Sequence, residues 1–149
     1  MALSSQQTLD QVCKQHNLVW KRNPTNGDTI DGWIDEIPIQ AKFCSKNFAI
    51  KVKTYPITTQ KSAGIHYQNY HVNDPFSYII VEVGGTHDEP DKYRGQFCVI
   101  PKSTLVEQGV LESETCLGKH CMYICPPDYV REHWSKKYWN NWDNFVKET

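Results

Sequence analysis

The sequence predicts an α/β domain built on a central sheet, and three observations carry that prediction. An amphipathic stretch near the N-terminus, Gln6 to Gln15, sets Leu9, Val12 and Cys13 on one side of a helix. A run of extended segments follows: Leu18–Arg22, Thr29–Phe43, Phe48–Tyr55, Phe76–Val83 and Gln96–Ile100. These are rich in β-branched and aromatic residues and are separated by turn formers. The C-terminal segment returns to a helical step, with Trp134, Tyr138, Trp142 and Phe145 three or four residues apart. A chain of 149 residues reads as one domain, 1–149, long enough to bury a core.

Each element has its own signals. Ser4 or Ser5 caps the first helix and Asn17 stops it. Asn23 to Asp28 is a turn cluster after the first strand. Thr29 to Phe43 reads as two strands around a tight turn at Asp35-Glu36. In the second of them Ile37 and Ile39 point to one face, and Pro38, Gln40 and Lys42 to the other. A turn centred there sets Asp31 opposite Gln40, so a carboxylate, an amide oxygen and an ammonium share a face. A divalent ion and a hydrolytic water need that set. In the next strand Phe48, Ile50 and Val52 point inward, and Lys51 and Lys53 outward. Phe76–Val83 reads as a buried strand ended by Gly84-Gly85, and Gln96–Ile100 as another ended by Pro101. Ser103 caps a short helix, Thr104 to Gln108, and Asp128 caps the aromatic C-terminal one.

Asp31, followed by Gln40-Ala41-Lys42 at the end of the next strand, resembles the motif of the PD-(D/E)XK nuclease superfamily: an Asp, a variable gap, then (D/E/Q)-x-K. The helix followed by strands resembles the opening of that family's core. Tyr70 and Asp74 resemble a further Y-x-x-x-D element, with Ser77 where a second Asp is usual. The resemblance covers about 4–100. It implies a restriction-endonuclease-like core, a mixed central sheet flanked by helices, to which the aromatic-rich C-terminal helix is added. The activity it implies is hydrolysis of DNA phosphodiesters, dependent on Mg²⁺ (or Mn²⁺). Asp31 would ligate the metal, joined by the Gln40 side-chain oxygen and the Ala41 carbonyl, while Lys42 orients or activates the attacking water. A helix in the first position often carries an acid facing the metal, and here that acid is Asp10; its other reading is a solvated helix residue. With Gln40 the site has one negative charge fewer than a two-carboxylate version, unless Asp10 or Asp74 contributes.

A formal net charge of −1 gives no global attraction for nucleic acid, so the distribution of charge decides. From Ile37 to Asn73 there is no Asp or Glu, while Lys42, Lys46, Lys51, Lys53, Lys61, His66 and His71 stand there. That interval predicts a basic face, with Lys46, Lys51, Lys53 and Lys61 on DNA phosphates. The implied partner is DNA, and a homodimer is compatible with it. Two other readings stay open: a catalytically inactive DNA-binding module of the same fold, and a protein-interaction domain docking through the C-terminal aromatic helix.

Other constellations carry less. His87-Asp-Glu89 is an H-x-E without the following P-C-x-x-C of zinc deaminases. Cys116, His120, Cys121 and Cys125 lie in one short segment. If that segment is a strand, Cys121 and Cys125 stand about 13 Å apart, too far for one ion, so buried or idle thiols are expected. The six cysteines need no disulfides in a reducing compartment. No apolar run approaches the ~18–20 residues that span a bilayer. The N-terminus also lacks the basic-then-apolar layout of a signal peptide. An intracellular protein, cytoplasmic or nuclear and without membrane contact, is the expectation.

Overall fold

Asp35 and Glu36 both adopt left-handed backbone, with φ of 48° and 71°. Two such residues in succession make the type I′ turn, whose twist fits the strands on either side. Around that turn the chain builds its sheet. The computed structural model describes residues 5–25, 29–44, 48–54, 68–84, 92–143 and 145. Its elements are α1 (Ser5–Gln15), β1 (Trp20–Arg22), β2 (Gly32–Ile34), β3 (Ile37–Cys44), β4 (Ala49–Lys51), β5 (Lys53–Thr54), β6 (Gln68–Asn69), β7 (Tyr78–Val83), β8 (Gln96–Pro101), α2 (Lys102–Glu107) and β9 (Cys121–Tyr123).

Five strands form the central sheet in the order β1-β2-β3-β7-β8. β3 and β7 run parallel, and the other pairs are antiparallel, so the sheet is mixed as expected. Strand alternation divides its side chains between two cores. Ile39, Tyr78, Ile80, Phe97 and Val99 face α1, which contributes Leu9 and Cys13. Cys44, Ile79, Val81, Cys98 and Ile100 face the opposite way, covered by Ile50, Val52, Tyr70, Phe76, Met122 and Ile124. Gln40 and Lys42 have the parity of this second face.

Three expectations change. The Phe48–Tyr55 strand is split. β4 pairs with β9 and β5 with β6, because Val52 between them accepts the Tyr70 N–H and donates its own N–H to the His120 carbonyl. Ile50 and Val52 are buried and Lys51 is exposed, so the alternation itself holds there. The Thr104–Gln108 helix begins at Lys102 directly off β8, with Pro101 in the cap position and no side-chain cap; Ser103 lies inside it.

The C-terminal aromatic segment departs further. Among the described residues it holds turns, a 3₁₀ turn at Lys136–Tyr138 and helical backbone at Asp143 and Phe145. Asp128 caps no helix: it accepts the Tyr93 hydroxyl at 2.8 Å and pairs with Lys92 at 3.1 Å. The segment instead wraps the β8 edge. Asn140, with φ of 53°, exchanges hydrogen bonds with Phe97 through its N–H (2.6 Å) and side-chain oxygen (2.9 Å). Tyr138 and Trp139 thereby join one core, and Trp142 and Phe145 the other. Tyr138, Trp142 and Phe145 are buried, which removes the docking face that a single helix would have presented. Among the described residues no helix is long and apolar enough to cross a membrane.

Candidate active site

Asp31 sits where the β2–β3 ladder ends. Its N–H bonds to the Ile39 carbonyl at 2.8 Å, one residue out of step with the Gly32–Ile39 register, an offset of the kind a bulge makes. Its carbonyl accepts the Asn23 N–H at 2.9 Å. Its Oδ2 then takes the Ala41 N–H at 2.8 Å, the group a continued strand would have bonded. Backbone and side chain are both held. Gly32 beside it is required by packing, since a Cβ there would stand 2.3 Å from the Trp20 ring.

Gln40, Ala41 and Lys42 follow from the alternation of β3. The buried Gln40 donates its Nε2 to the Thr29 carbonyl at 2.7 Å, which turns its oxygen away from that contact. The Ala41 carbonyl leaves the strand on the same edge as its N–H, and therefore on the Asp31 side. Lys42 places its ammonium 4.9 Å from the centre of the Tyr70 ring. Burial lowers the Lys42 pKa, and the Asp31 carboxylate opposes that shift. Tyr70 is itself buried, and burial, then Asp31, then Asp74, push its phenol up. Asp31 thus lies against Ala41 and within electrostatic reach of Lys42, while the Gln40 amide is turned to Thr29.

The other expected acids are engaged elsewhere. Asp10 pairs with Lys14 at 3.1 Å along the outer surface of α1, while the neighbouring Leu9 lines the cleft. Asp74 accepts the His71 N–H at 2.8 Å, and its carbonyl holds the Lys102 ammonium. Ser77 donates its N–H to the Pro38 carbonyl at 2.8 Å. Of the predicted DNA-contacting lysines, Lys51 is exposed on β4 and Lys53 lies in β5. Lys46 and Lys61 are outside the described residues, as are His66, His87 and Glu89. Cys121 is exposed, while Cys125 is buried, its N–H donated to Ser135 Oγ at 2.7 Å. Among the described residues no three His, Cys, Asp or Glu side chains gather as a metal-holding group. The oxygens at Asp31, Gln40 and Ala41 are a different kind of set, two of them neutral, and suit a hard cation that takes oxygen ligands.

The fold can be set beside solved structures. A bacterial homing endonuclease, I-Ssp6803I, matches over 97% of this chain and 89% of its own, with a TM-score of 0.69 at 15% identity. The fold is nuclease-like. MepB matches over 93% of this chain and 96% of its own, with a TM-score of 0.59 at 16% identity. No family model matches the sequence, and no curated protein matches it either.

A cleft of about 200 Å³ opens at this site, lined by Asp31, Ala41, Lys42 and Glu82 over Leu9, Phe43, Ile80 and Phe97. A larger hollow of about 700 Å³ lies at the hairpin turn, among Val19, Lys21, Trp33, Asp35 and Glu36, away from these groups. Two further residues stand here, Tyr70 beside Lys42 and Glu82 in the cleft lining. Tyr70 was visible as part of the Y-x-x-x-D element. Glu82 was visible only as a lone carboxylate inside the apolar run Tyr78–Val83, where burial pushes its pKa up to about 7.

Proposed function

We propose that this protein is a metal-dependent endonuclease that hydrolyses DNA phosphodiester bonds. One observation supports the reading most: the Asp31 carboxylate accepts the Ala41 N–H beside the desolvated Lys42 ammonium, on a nuclease-like fold. Asp31, Gln40 through its side-chain oxygen and Ala41 through its carbonyl would hold Mg²⁺ or Mn²⁺. Such an ion, when bound, stabilises charge on the phosphate and lowers the pKa of the attacking water. Asp31 is pinned by three backbone contacts and so needs no rearrangement to hold its place. Lys42 orients the water and meets charge as it accumulates in the transition state, its ammonium held over Tyr70 and out of bulk solvent. The exposed Lys51 on β4 is a candidate phosphate contact, joined by Lys46, Lys53 and Lys61 from the acid-free interval.

The test pairs two measurements on Lys42→Ala: single-turnover cleavage of DNA with Mg²⁺, and DNA binding with Ca²⁺ in its place. The rate should fall on the order of 10²–10³, the scale for loss of one preorganised stabilising group. Affinity should fall only by about one phosphate contact. Equal losses in both would make Lys42 a binding residue. A wild-type protein that binds DNA without cutting it is the outcome favoured by Gln40 and Ser77, which stand where the resembled motif usually carries acids.

A further inference from the structure

We propose that the hollow beside β9, closed by the segment 125–133, is a binding site for an unpaired nucleobase of a DNA strand. Its volume of about 420 Å³ lies within the ~300–1,000 Å³ of small-molecule sites. Phe48, Tyr123, Tyr129, Arg131, Glu132 and His133 line it, none of which belongs to the Asp31 cleft. β9 alternates, with Met122 buried in the core and Cys121 and Tyr123 facing out. Tyr123 stands directly opposite Ala49 on β4, and Lys51 shares that outer face. The methyl group opposite leaves the Tyr123 ring 62% exposed. An open ring beside a lysine suits a base that stacks while its backbone is held. Tyr129 is a second ring, with the Lys136 ammonium 5.9 Å from its centre.

The polar side of the hollow is fixed by the fold. Fully buried Ser135 gives His133 Nδ1 both its N–H, at 3.1 Å, and its hydroxyl, at 2.7 Å. The same Oγ accepts the Cys125 N–H at 2.7 Å. A nitrogen that accepts a backbone N–H carries no proton, so the ring proton sits on Nε2. Burial, then Lys119 and Lys136, lower the His133 pKa and keep the ring neutral. Nε2 has no hydrogen-bond partner among the described residues. A base edge offers the ring nitrogens and carbonyl oxygens that this donor and Arg131 can meet. Charge selects the rest of the occupant. Asp128 is taken up by the Tyr93 hydroxyl and by Lys92. Lys51, Lys119, Arg131 and Lys136 then outnumber Glu132 around the hollow, which favours a phosphate backbone over a peptide. A duplex keeps its base faces stacked inside, so only an unpaired base can lie on these rings.

The experiment is fluorescence anisotropy of the full chain in EDTA, which separates this binding from any cleavage with Mg²⁺. The probes are a labelled oligothymidylate, an abasic strand of equal length and a duplex of equal length. The wild type should bind the oligothymidylate most tightly. Tyr123→Ala and Tyr129→Ala should each weaken it roughly 5- to 150-fold, the range for one base–aromatic stack, and leave abasic binding unchanged. Tyr123→Phe keeps the ring and should keep the affinity. Lys51→Ala should instead weaken both strands and flatten the salt slope by about 0.7. Equal affinity for the intact and abasic strands overturns the proposal. So does a duplex bound as tightly as the strand, or an affinity that neither Tyr→Ala variant changes. If Tyr129→Ala fails to fold, the exposed Tyr123 decides alone. A wild type that binds the strand in this way but cuts nothing with Mg²⁺ loses the cleavage reading and keeps this one.

Discussion

On one face of the central sheet, Gln40 and Lys42 stand among apolar side chains, each with a contact of its own. The Gln40 amide reaches the Thr29 carbonyl, and the Lys42 ammonium lies over the Tyr70 ring. On the other face Glu82 stands between Phe43 and Phe97, with one oxygen unmet among the described residues. The covers differ as well. Short strands and the Tyr70–Phe76 turn roof the first face, whereas α1, Trp142 and Phe145 close the second. A sheet buried on both sides accepts a polar side chain where the cover supplies a partner. At Glu82 the cover is incomplete, with Phe43 exposed beside it and the carboxylate half-buried.

The largest test of this contrast is the cover of the α1 face. Phe145 is fully buried and stacks on Tyr78 with ring centres 4.4 Å apart. Phe145→Ala should cost about 3–5 kcal/mol, read by chemical denaturation. A much smaller loss would mean that the C-terminal segment merely drapes over that face.

The Lys42–Tyr70 contact sharpens the other side. A desolvated cation–π contact is worth about 1–2 kcal/mol. Tyr70→Leu and Lys42→Met should therefore couple by that amount in a double-mutant cycle of unfolding free energies. Tyr70→Phe keeps the ring and should retain the coupling. Coupling that vanished in Tyr70→Phe would assign it to the hydroxyl instead.

The smallest effect is a pH dependence. Burial raises the Glu82 pKa from 4.5 to about 7, so the folded chain binds that proton more tightly than the unfolded one. The stability that goes with it is fully present below pH 4.5 and is lost as pH rises to about 7. Glu82→Gln does not titrate. In EDTA its stability relative to wild type should climb through that window and stay level above it. A margin that does not change with pH would show that the Glu82 carboxyl is solvated like any surface acid.

Much of the site was legible in the sequence because it depends on short-range geometry. The alternation of Ile37 to Lys42 and the two-residue turn at Asp35-Glu36 determine which side chains share a face. They bring Asp31 beside β3, although its N–H bonds to Ile39 and its carboxylate to Ala41, one residue out of the step that would set it opposite Gln40. The apolar strands Tyr78–Val83 and Gln96–Pro101 declared themselves in the same way. Only the tertiary structure decided what crosses between elements. Spacing of three and four residues put Trp134, Tyr138, Trp142 and Phe145 on one helical face. Hydrogen bonds between Asn140 and Phe97 carry the chain around the β8 edge instead and divide these aromatics between two cores. Val52 breaks its strand for a similar reason, being bonded to His120 and Tyr70, far along the chain. Tyr70 reaches Lys42 only in the folded chain, and Glu82 stands beside Phe43 only once β3 and β7 lie parallel. That pairing joins segments separated by an interval whose own pattern says nothing of where its ends meet.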